Sequence, residues 1–277
     1  MFNESFLQMA LWGGLLASIA SGTVGSFVVV KRISFLAGSI SHSLLGGMGI
    51  CLWLQRTYEI TWLHPLIGAF LGAIASALLI GYVHLHYRER EDAVIGAIWS
   101  TGMAIGVIAI SLTPGTNVEL MNYLFGNILW IDKQNLLFLA LLDGGLILTL
   151  LFYYQRLLSL CFDEEQAILR GIPVRSLYLL LLVLVSISVV LLIQVIGTAL
   201  LIALLTIPAT LASLFTRRFS SLIIASIAFS ALFNVGGLSL SYFLDWPPGS
   251  TIALLSALIY FSFLPFKNRL YQEPYLT

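Results

Sequence analysis

Charged side chains are scarce in this sequence: Asp, Glu, Lys and Arg make up only 9% of its 277 residues, whereas 59% are hydrophobic. A soluble globular domain carries about 25% charged residues, so the composition excludes that class. The sequence also lacks a recurring ten-residue alternation of apolar and polar positions, which argues against an outer-membrane barrel. Its long apolar runs and mean hydropathy of +0.99 predict an all-α, polytopic helical membrane protein.

Several functional signatures are missing as well. No G-x-x-x-x-G-K-[ST] pattern occurs, so we predict that the chain is not itself an ATPase. No G-x-S-x-G or H-E-x-x-H occurs, which argues against the common hydrolases and metalloproteases. The start, MFNESFLQMALW, contains Glu4 and no basic residue, so we expect the first helix to be retained rather than cleaved. The two cysteines, Cys51 and Cys161, are predicted to lie on opposite sides of the membrane and to form no disulfide.

Apolar windows of about 20 residues predict the number of membrane spans. The nine predicted helices lie near 8–30, 35–55, 64–86, 93–112, 134–154, 176–195, 197–215, 220–243 and 249–266. Eight is the alternative, because the run from about 176 to 215 is interrupted only by Gln194 and Gly197 and because 113–133 is hard to assign.

The basic residues predict the orientation of these spans. Those that fall in alternate loops are Lys31, Arg32, Arg88, Arg90, Arg156, Arg170, Arg175, Arg217, Arg218, Lys267 and Arg269. Only Arg56 and Lys133 fall in the predicted loops on the opposite side of the membrane. The positive-inside rule therefore predicts that the N-terminus is outside and the C-terminus is cytoplasmic.

The external connection at about 113–133 is too polar at its start and too short at its end to span. We interpret it as a turn at Pro114-Gly115 followed by an interfacial or re-entrant helix. Asn117 and Glu119 in this loop, and Asp245 in the last external loop, lie at the external mouth of the protein. Each of the three could attract a cation, cap a helix or bind an external partner protein.

His42 lies in an apolar, glycine-rich stretch, FLAGSISHSLLGGMG, at 35–49. An ionisable side chain at membrane depth is a candidate for an ion pathway, although a structural histidine bonded to a neighbouring helix is an equal alternative. On a helix Gly38, His42, Gly46 and Gly49 share a face, with Ser39 beside them. This face permits either close approach of another helix or a gap beside the imidazole.

Two further polar residues fall inside predicted spans. Asp143 should cost several kcal/mol if it is unpaired there; it is either a carboxylate that serves the pathway near His42 or a protonated or hydrogen-bonded structural acid. Asn234 is a mid-span amide, which is more often a bond between helices than a ligand. We group His42, Ser39, Asp143, Asn234 and Asp245 as candidates for a metal pathway.

The loop FDEEQAILRGIPVRS at 162–176 predicts a short cytoplasmic helix. It opens on acidic residues that suit a helix N-terminus, and Gly171 followed by Pro173 provides the stop. Ala167 and Gly171, four residues apart, would give a shallow face for docking into a groove of a peripheral protein. The alternative is a solvated connector.

The sequence resembles the permeases of the metal-uptake ABC transporters, the zinc, manganese and iron group called the ABC-3 family. The matching stretches are GSFVVVKRISFLAGSISHSLLGG, LFGNIL, FDEEQAILRGIPV, VIGTALLIALLTIPATLASLFTRR and LSYFLDWPPGSTIALLSALIYF. The resemblance implies one permease domain over 1–277, in the inner membrane of a prokaryote. It implies that 163–172 is the coupling helix on an ATP-binding subunit, with Glu164, Glu165, Ala167, Gly171 and Ile172 at the contact.

The same resemblance implies the partners: a cytoplasmic ATPase that hydrolyses ATP, an external metal-binding protein and a second copy of this chain. We expect no nucleic acid and no cofactor bound by the chain itself. The cargo would be a divalent transition metal. The alternative, an ion-gradient-driven secondary transporter, should show an internal repeat with broken helices.

This sequence departs from the family pattern at one position. The family usually has an aspartate three residues before the histidine, whereas this sequence has Ser39 there and keeps His42. A hydroxyl is a weaker ligand than a carboxylate, so we expect a weaker or differently built transit site. Serine also matches a divergent branch of these permeases, so we do not infer loss of function. Loss of the carboxylate slightly favours zinc over manganese.

Overall fold

The computed structural model describes residues 5–60, 62–87, 91–114, 128 and 131–270. Within these ranges the regular structure is helical, without a β-strand. The helices are α1 (Ser5–Val30), α2 (Ser34–Thr57), α3 (Pro65–Tyr87), α4 (Glu91–Ser111), α5 (Lys133–Phe162), α6 (Glu164–Leu169), α7 (Val174–Phe215), α8 (Phe219–Leu244) and α9 (Pro248–Leu270). Among the described residues, eight segments are long and apolar enough to cross a membrane, and Leu200–Phe215 is a shorter apolar helix. The predicted all-α polytopic class is confirmed.

The bundle has two ends, and the loops alternate between them. At one end, which we call the Lys31 end, Lys31 forms an ion pair with Glu164, and its Nζ lies 6.0 Å from the centre of the Tyr178 ring. The rings of Phe27 and Phe219 are 4.9 Å apart at the same end. At the opposite end Arg56 Nη1 donates to the carbonyl of Pro114 at 3.2 Å. The alternation follows the predicted pattern of basic loops.

Helix α7 shows why the span count was ambiguous. Its 42 residues would measure about 63 Å if straight, twice the ~30 Å of a hydrocarbon core. The helix breaks at Gly197, where φ is 75° and ψ is 168°. Tyr178 before the break and Phe219 just after the helix both lie at the Lys31 end, next to Lys31 and Phe27 respectively. The chain therefore reverses at Gly197, at the predicted junction of 176–195 and 197–215.

Helix α2 is the most enclosed span, and glycines allow its neighbours to approach it. A Cβ at Gly46 would lie 2.8 Å from the carbonyl oxygen of Gly102, and one at Gly49 would lie 2.9 Å from that of Gly106. Both partners are on α4. On another face, Gly47 meets the backbone of Gly68 on α3. Because lipid gives helices no hydrophobic reason to associate, such close backbone contact supplies much of the attraction.

One predicted boundary differs from the structure. Helix α5 continues to Phe162, past the predicted end at 154, so the segment predicted as a loop at 155–175 is mostly helical. The extra turns are amphipathic: Leu157 and Leu160 are buried, whereas Gln155 and Arg156 are exposed.

The external connection predicted at about 113–133 lies largely outside the described residues. Asn117, Glu119 and the predicted re-entrant helix fall in this part, so their proposed roles stay predictions.

We predict that Gly197→Ala destabilises the bundle by about 1–3 kcal/mol, because the backbone at Gly197 adopts a conformation that is essentially restricted to glycine. Thermal unfolding of the purified protein in detergent would measure the loss. Gly96→Ala is the matched control, since a Cβ there meets nothing within 4 Å among the described residues. Equal stability of the two variants would show that the reversal does not depend on Gly197.

Candidate functional site

His42 lies on the α2 face that packs against α4. Its imidazole is half-buried and stacks on the indole of Trp99, with ring centres 4.5 Å apart and planes 11° from parallel. Its Nδ1 is buried and finds no hydrogen-bond partner in the described part of the chain. A bond from Nδ1 to a neighbouring helix, one form that the structural alternative could take, is therefore not present there. Nδ1 therefore carries a lone pair or N–H whose hydrogen-bonding capacity is not used in the described part of the chain.

The predicted glycine face is confirmed as a close-packing face, but it is covered. Gly46 and Gly49 on this face contact α4 as described above, and Gly38 faces Trp99. Ser39 is fully buried, and its Oγ donates to the carbonyl of Ile95 on α4 at 2.9 Å. The bond to Ile95 satisfies the Ser39 hydroxyl within the α2–α4 interface, as buried polar groups generally require, and the role of Ser39 in a metal pathway stays a prediction.

Asp143 belongs to a different interface. Helix α5 packs against α1 and α7, whereas the face of α2 that carries His42 packs against α4. The carboxylate is 4% exposed, and neither of its oxygens has a hydrogen-bond partner among the described residues. These contacts give no support to the expectation that Asp143 replaces the missing carboxylate beside His42. An unpaired buried carboxyl is far cheaper to keep neutral than charged, which favours the structural alternative.

Asn234 bonds two helices together. Its Nδ2 donates to the carbonyl of Gly14 at 3.1 Å and to Ser18 Oγ at 2.7 Å, both on α1. One turn away, the hydroxyls of Ser21 and Ser230 lie 2.9 Å apart. These contacts form a polar seam between α1 and α8. The interpretation of Asn234 as a bond between helices fits this geometry better than its role as a metal ligand.

Asp245 ends α8 in the left-handed conformation, with φ 54° and ψ 35°. Its backbone N–H and that of Trp246 both donate to the carbonyl of Ser241. The Ser241 hydroxyl donates to the Trp246 carbonyl at 2.6 Å, which closes the turn. Asp245 is exposed at the end that also carries Arg56. This position is compatible with a contact to an external partner or to a cation, as the sequence suggested.

The short helix α6 forms as its sequence predicts. Asp163 caps its start by accepting from the N–H of Gln166 at 2.8 Å. At the end of the helix, Gly171 adopts a positive φ of 72°. Its N–H donates to the carbonyl of Ile168 at 2.9 Å, and the N–H of Ile172 donates to the carbonyl of Ala167 at 3.0 Å. This pair of bonds is the Schellman motif. The predicted stop at Gly171 is confirmed.

The outward face of α6 is not the predicted one. Ala167 is 1% exposed and contacts the protein's own core, so its placement on a docking face with Gly171 is wrong. The exposed apolar side chains are Ile168 at 61% and Leu169 at 86%. Together with exposed Gly171 they form what we call the α6 docking face. The small Ala167 instead lets the helix lie close to the bundle.

An ion pair holds α6 in place. Lys31, at the end of α1, pairs with Glu164 and donates to the carbonyl of Leu160 at 3.2 Å. Its ammonium also lies near the Tyr178 ring of α7. Glu164 therefore bonds within the chain, whereas Glu165 is exposed. From the sequence, Lys31 indicated only the orientation of the spans. No local sequence pattern relates it to Glu164, which lies 133 residues further along the chain.

Three or more His, Cys, Asp or Glu side chains do not come together anywhere in the described ranges. Within these ranges His42 therefore belongs to no group of three such ligands, and the ring that stacks on it is that of Trp99. Sequence reasoning missed Trp99, which lies on another helix and has no motif of its own. Trp99 comes next to His42 only because α2 packs on α4.

Comparison with known proteins gives consistent matches along the whole chain. The sequence model of the ABC 3 transport family matches residues 3–267. The "Probable metal transport system membrane protein" of Chlamydia trachomatis is 46% identical over 86% of this chain and 81% of its own. The manganese transport system membrane protein MntC of Halalkalibacterium halodurans is 30% identical over 94% of this chain and 87% of its own. PsaBC from Streptococcus pneumoniae in complex with Fab matches with a TM-score of 0.82 at 30% identity, covering 97% of this chain and 95% of that chain.

We predict that Asn234→Ala weakens folding but not ion recognition. Loss of two bonds between helices should lower the free energy of unfolding by about 1 kcal/mol. The affinity of the purified protein for zinc, measured by equilibrium dialysis, should stay within twofold of the unmodified protein. Ser239→Ala is the control, because Ser239 Oγ donates only within its own helix, to Val235 at 2.8 Å. A large loss of affinity in the Asn234 variant would make the amide a ligand.

Proposed function

The chain belongs to the ABC 3 transport family and is the membrane subunit of a metal-uptake ABC transporter, and on that premise we propose that it conducts a divalent transition metal ion past His42. ATP would be hydrolysed by a separate subunit at the Lys31 end, which we infer to be cytoplasmic. An external metal-binding protein would deliver the ion at the opposite end. A secondary transporter is not favoured, because the family match covers nearly the whole chain.

The observation that carries this proposal is the α6 docking face. A six-residue helix outside the spans exposes Leu169 to 86% and Ile168 to 61%, although exposed apolar side chains in an aqueous loop are unfavourable without a partner. The Lys31–Glu164 ion pair and buried Ala167 fix this helix to α1 and to the core. A rigidly held apolar face suits the contact through which an ATPase subunit would push on the bundle.

The ion path is proposed from His42. Imidazole replaces a water ligand without adding a permanent charge to the membrane interior. Conduction also requires weak binding, so that the ion can leave. A single histidine next to a Ser39 hydroxyl that is already bonded to Ile95 supports a transit point rather than a storage site.

Zinc remains our favoured cargo, because neutral imidazole suits zinc whereas manganese prefers carboxylates. Relatives such as the MntC of Halalkalibacterium halodurans are named for manganese, so manganese is the alternative that an experiment must separate.

We also propose that two copies assemble with both N-termini outside and both C-termini in the cytoplasm. Helix α5 supports the assembly: it is largely exposed in the single chain, and a Cβ at Gly144 or Gly145 would meet nothing within 4 Å among the described residues. Exposed small residues on a span permit close approach of a second copy.

The coupling proposal predicts that Leu169→Asp reduces uptake at least tenfold. A charge on the α6 docking face would have to be desolvated in the contact with the ATPase subunit. The measurement is uptake and ATP hydrolysis by the reconstituted complex in proteoliposomes. Tyr87→Asp is the matched control, since Tyr87 is 62% exposed at the same end but lies on α3. If the Leu169 variant transports and hydrolyses normally, α6 is not the coupling helix.

The pathway proposal predicts that His42→Ala reduces metal uptake at least tenfold while assembly stays normal. Accumulation of radioactive zinc and manganese would be measured in separate and competing assays with the ion-loaded binding protein. His86→Ala is the control, because His86 is exposed at the end of α3. Normal uptake in the His42 variant would contradict the pathway. Preferential accumulation of manganese by the unmodified protein would contradict the zinc assignment.

A further inference from the structure

The rings of His42 and Trp99 form the closest stack between α2 and α4 in the described part of the chain. The planes are nearly parallel, at 11°, and the centres are 4.5 Å apart. At this distance the indole covers one face of the imidazole and removes water from it. His42 Nδ1 is buried without a described partner, so no hydrogen bond there determines the orientation of the ring. Among the described contacts, the stack on Trp99 is the one that can fix the orientation of the imidazole.

The indole is held by a hydrogen bond on α4 and lies against α2, and a nearby bond joins the two helices. Its Nε1 donates to the sulfur of Met103 one turn further along α4 at 3.3 Å, which sets its rotation. Gly38, one turn before His42, lies beside the indole, since a Cβ there would be in ordinary van der Waals contact with Trp99 Cζ3, at 3.4 Å. The bond from Ser39 Oγ to Ile95 joins α2 and α4 one turn before Trp99.

We propose that Trp99 is a positioning residue that holds the His42 imidazole in the orientation in which it receives the transported ion. This inference rests on the proposed pathway and adds a second residue to it. Groups that orient a ligand commonly affect metal affinity 10- to 100-fold when they are removed. The face of the indole is also negative, so it favours the positive charge that an imidazole gains when it binds a metal.

A packing role alone predicts a different outcome. If Trp99 only fills space, its replacement lowers stability and leaves the ion affinity of the folded molecules unchanged. If Trp99 positions His42, affinity falls while the folded fraction changes little. The two roles therefore separate when affinity and stability are measured on the same purified permease–ATPase complex.

The test uses Trp99→Leu, which removes the stack, and Trp99→Phe, which retains part of it. Zinc binding to the purified complex without binding protein would be measured by equilibrium dialysis, together with thermal unfolding. We expect affinity to fall about tenfold for the Leu variant and less for the Phe variant. Trp12→Leu is the control, because Trp12 is 61% exposed on α1. Zinc should also change the tryptophan fluorescence of the unmodified complex, and this change should be absent in Trp99→Phe and in His42→Ala.

Parallel measurements on His42→Ala distinguish the two levels of the proposal. If His42→Ala loses binding and uptake but Trp99→Leu binds zinc as Trp12→Leu does, the positioning role is overturned and the pathway stands. If His42→Ala itself binds and transports normally, the pathway fails and the positioning role fails with it. A stability loss in Trp99→Leu with unchanged affinity of the folded fraction would also overturn the proposal.

Discussion

The packing of this bundle depends on how closely the backbone of α2 approaches its neighbours. In lipid, apolar side chains gain little by leaving the solvent, so helices must gain from close packing and from bonds between them. Gly46 and Gly49 place α2 against the carbonyls of α4, and Gly47 places it against α3. A side chain at any of these positions would separate the helices. A separation of α2 from α4 would also remove the stack between His42 and Trp99 and the bond from Ser39 to Ile95.

The polar contacts divide the bundle into regions with different tasks. Between α1 and α8, Asn234 Nδ2 donates to Ser18 Oγ, and the hydroxyls of Ser21 and Ser230 bond to each other, so these contacts join the two helices. Between α2 and α4, His42 keeps a buried nitrogen without a described partner. At the Lys31 end, an ion pair joins the spans to α6. Within the described residues, unpartnered buried polar atoms therefore occur in both interfaces: Asn234 Oδ1 in the serine-lined one and His42 Nδ1 in the glycine-packed one.

The sequence could predict what depends on local chemistry. Helix spans follow from apolar length, the end of α6 follows from Gly171, and the break near 197 follows from a glycine in a run too long to be one span. It could not predict what depends on the rotation of one helix against another. Ala167 and Gly171 are four residues apart, yet one is buried and the other exposed, because the left-handed residue at Gly171 takes the chain off the helix. Trp99 and Lys31 gain their partners only through tertiary packing.

The position of Lys31 also connects the two proposed sites. Lys31 is held by Glu164 of α6 and lies directly after α1, and a short turn leads from it to α2. The N–H of Ile33 in that turn donates to the carbonyl of Val28, so the turn is bonded to α1. A displacement of α6 would therefore act on the start of α2, a little more than two helical turns before His42. Because the face of α2 around His42 is packed on α4 without room to deform, a shift of α2 would change the fit between the imidazole and Trp99, and a weak ion site of this kind would lose its geometry at the moment of release.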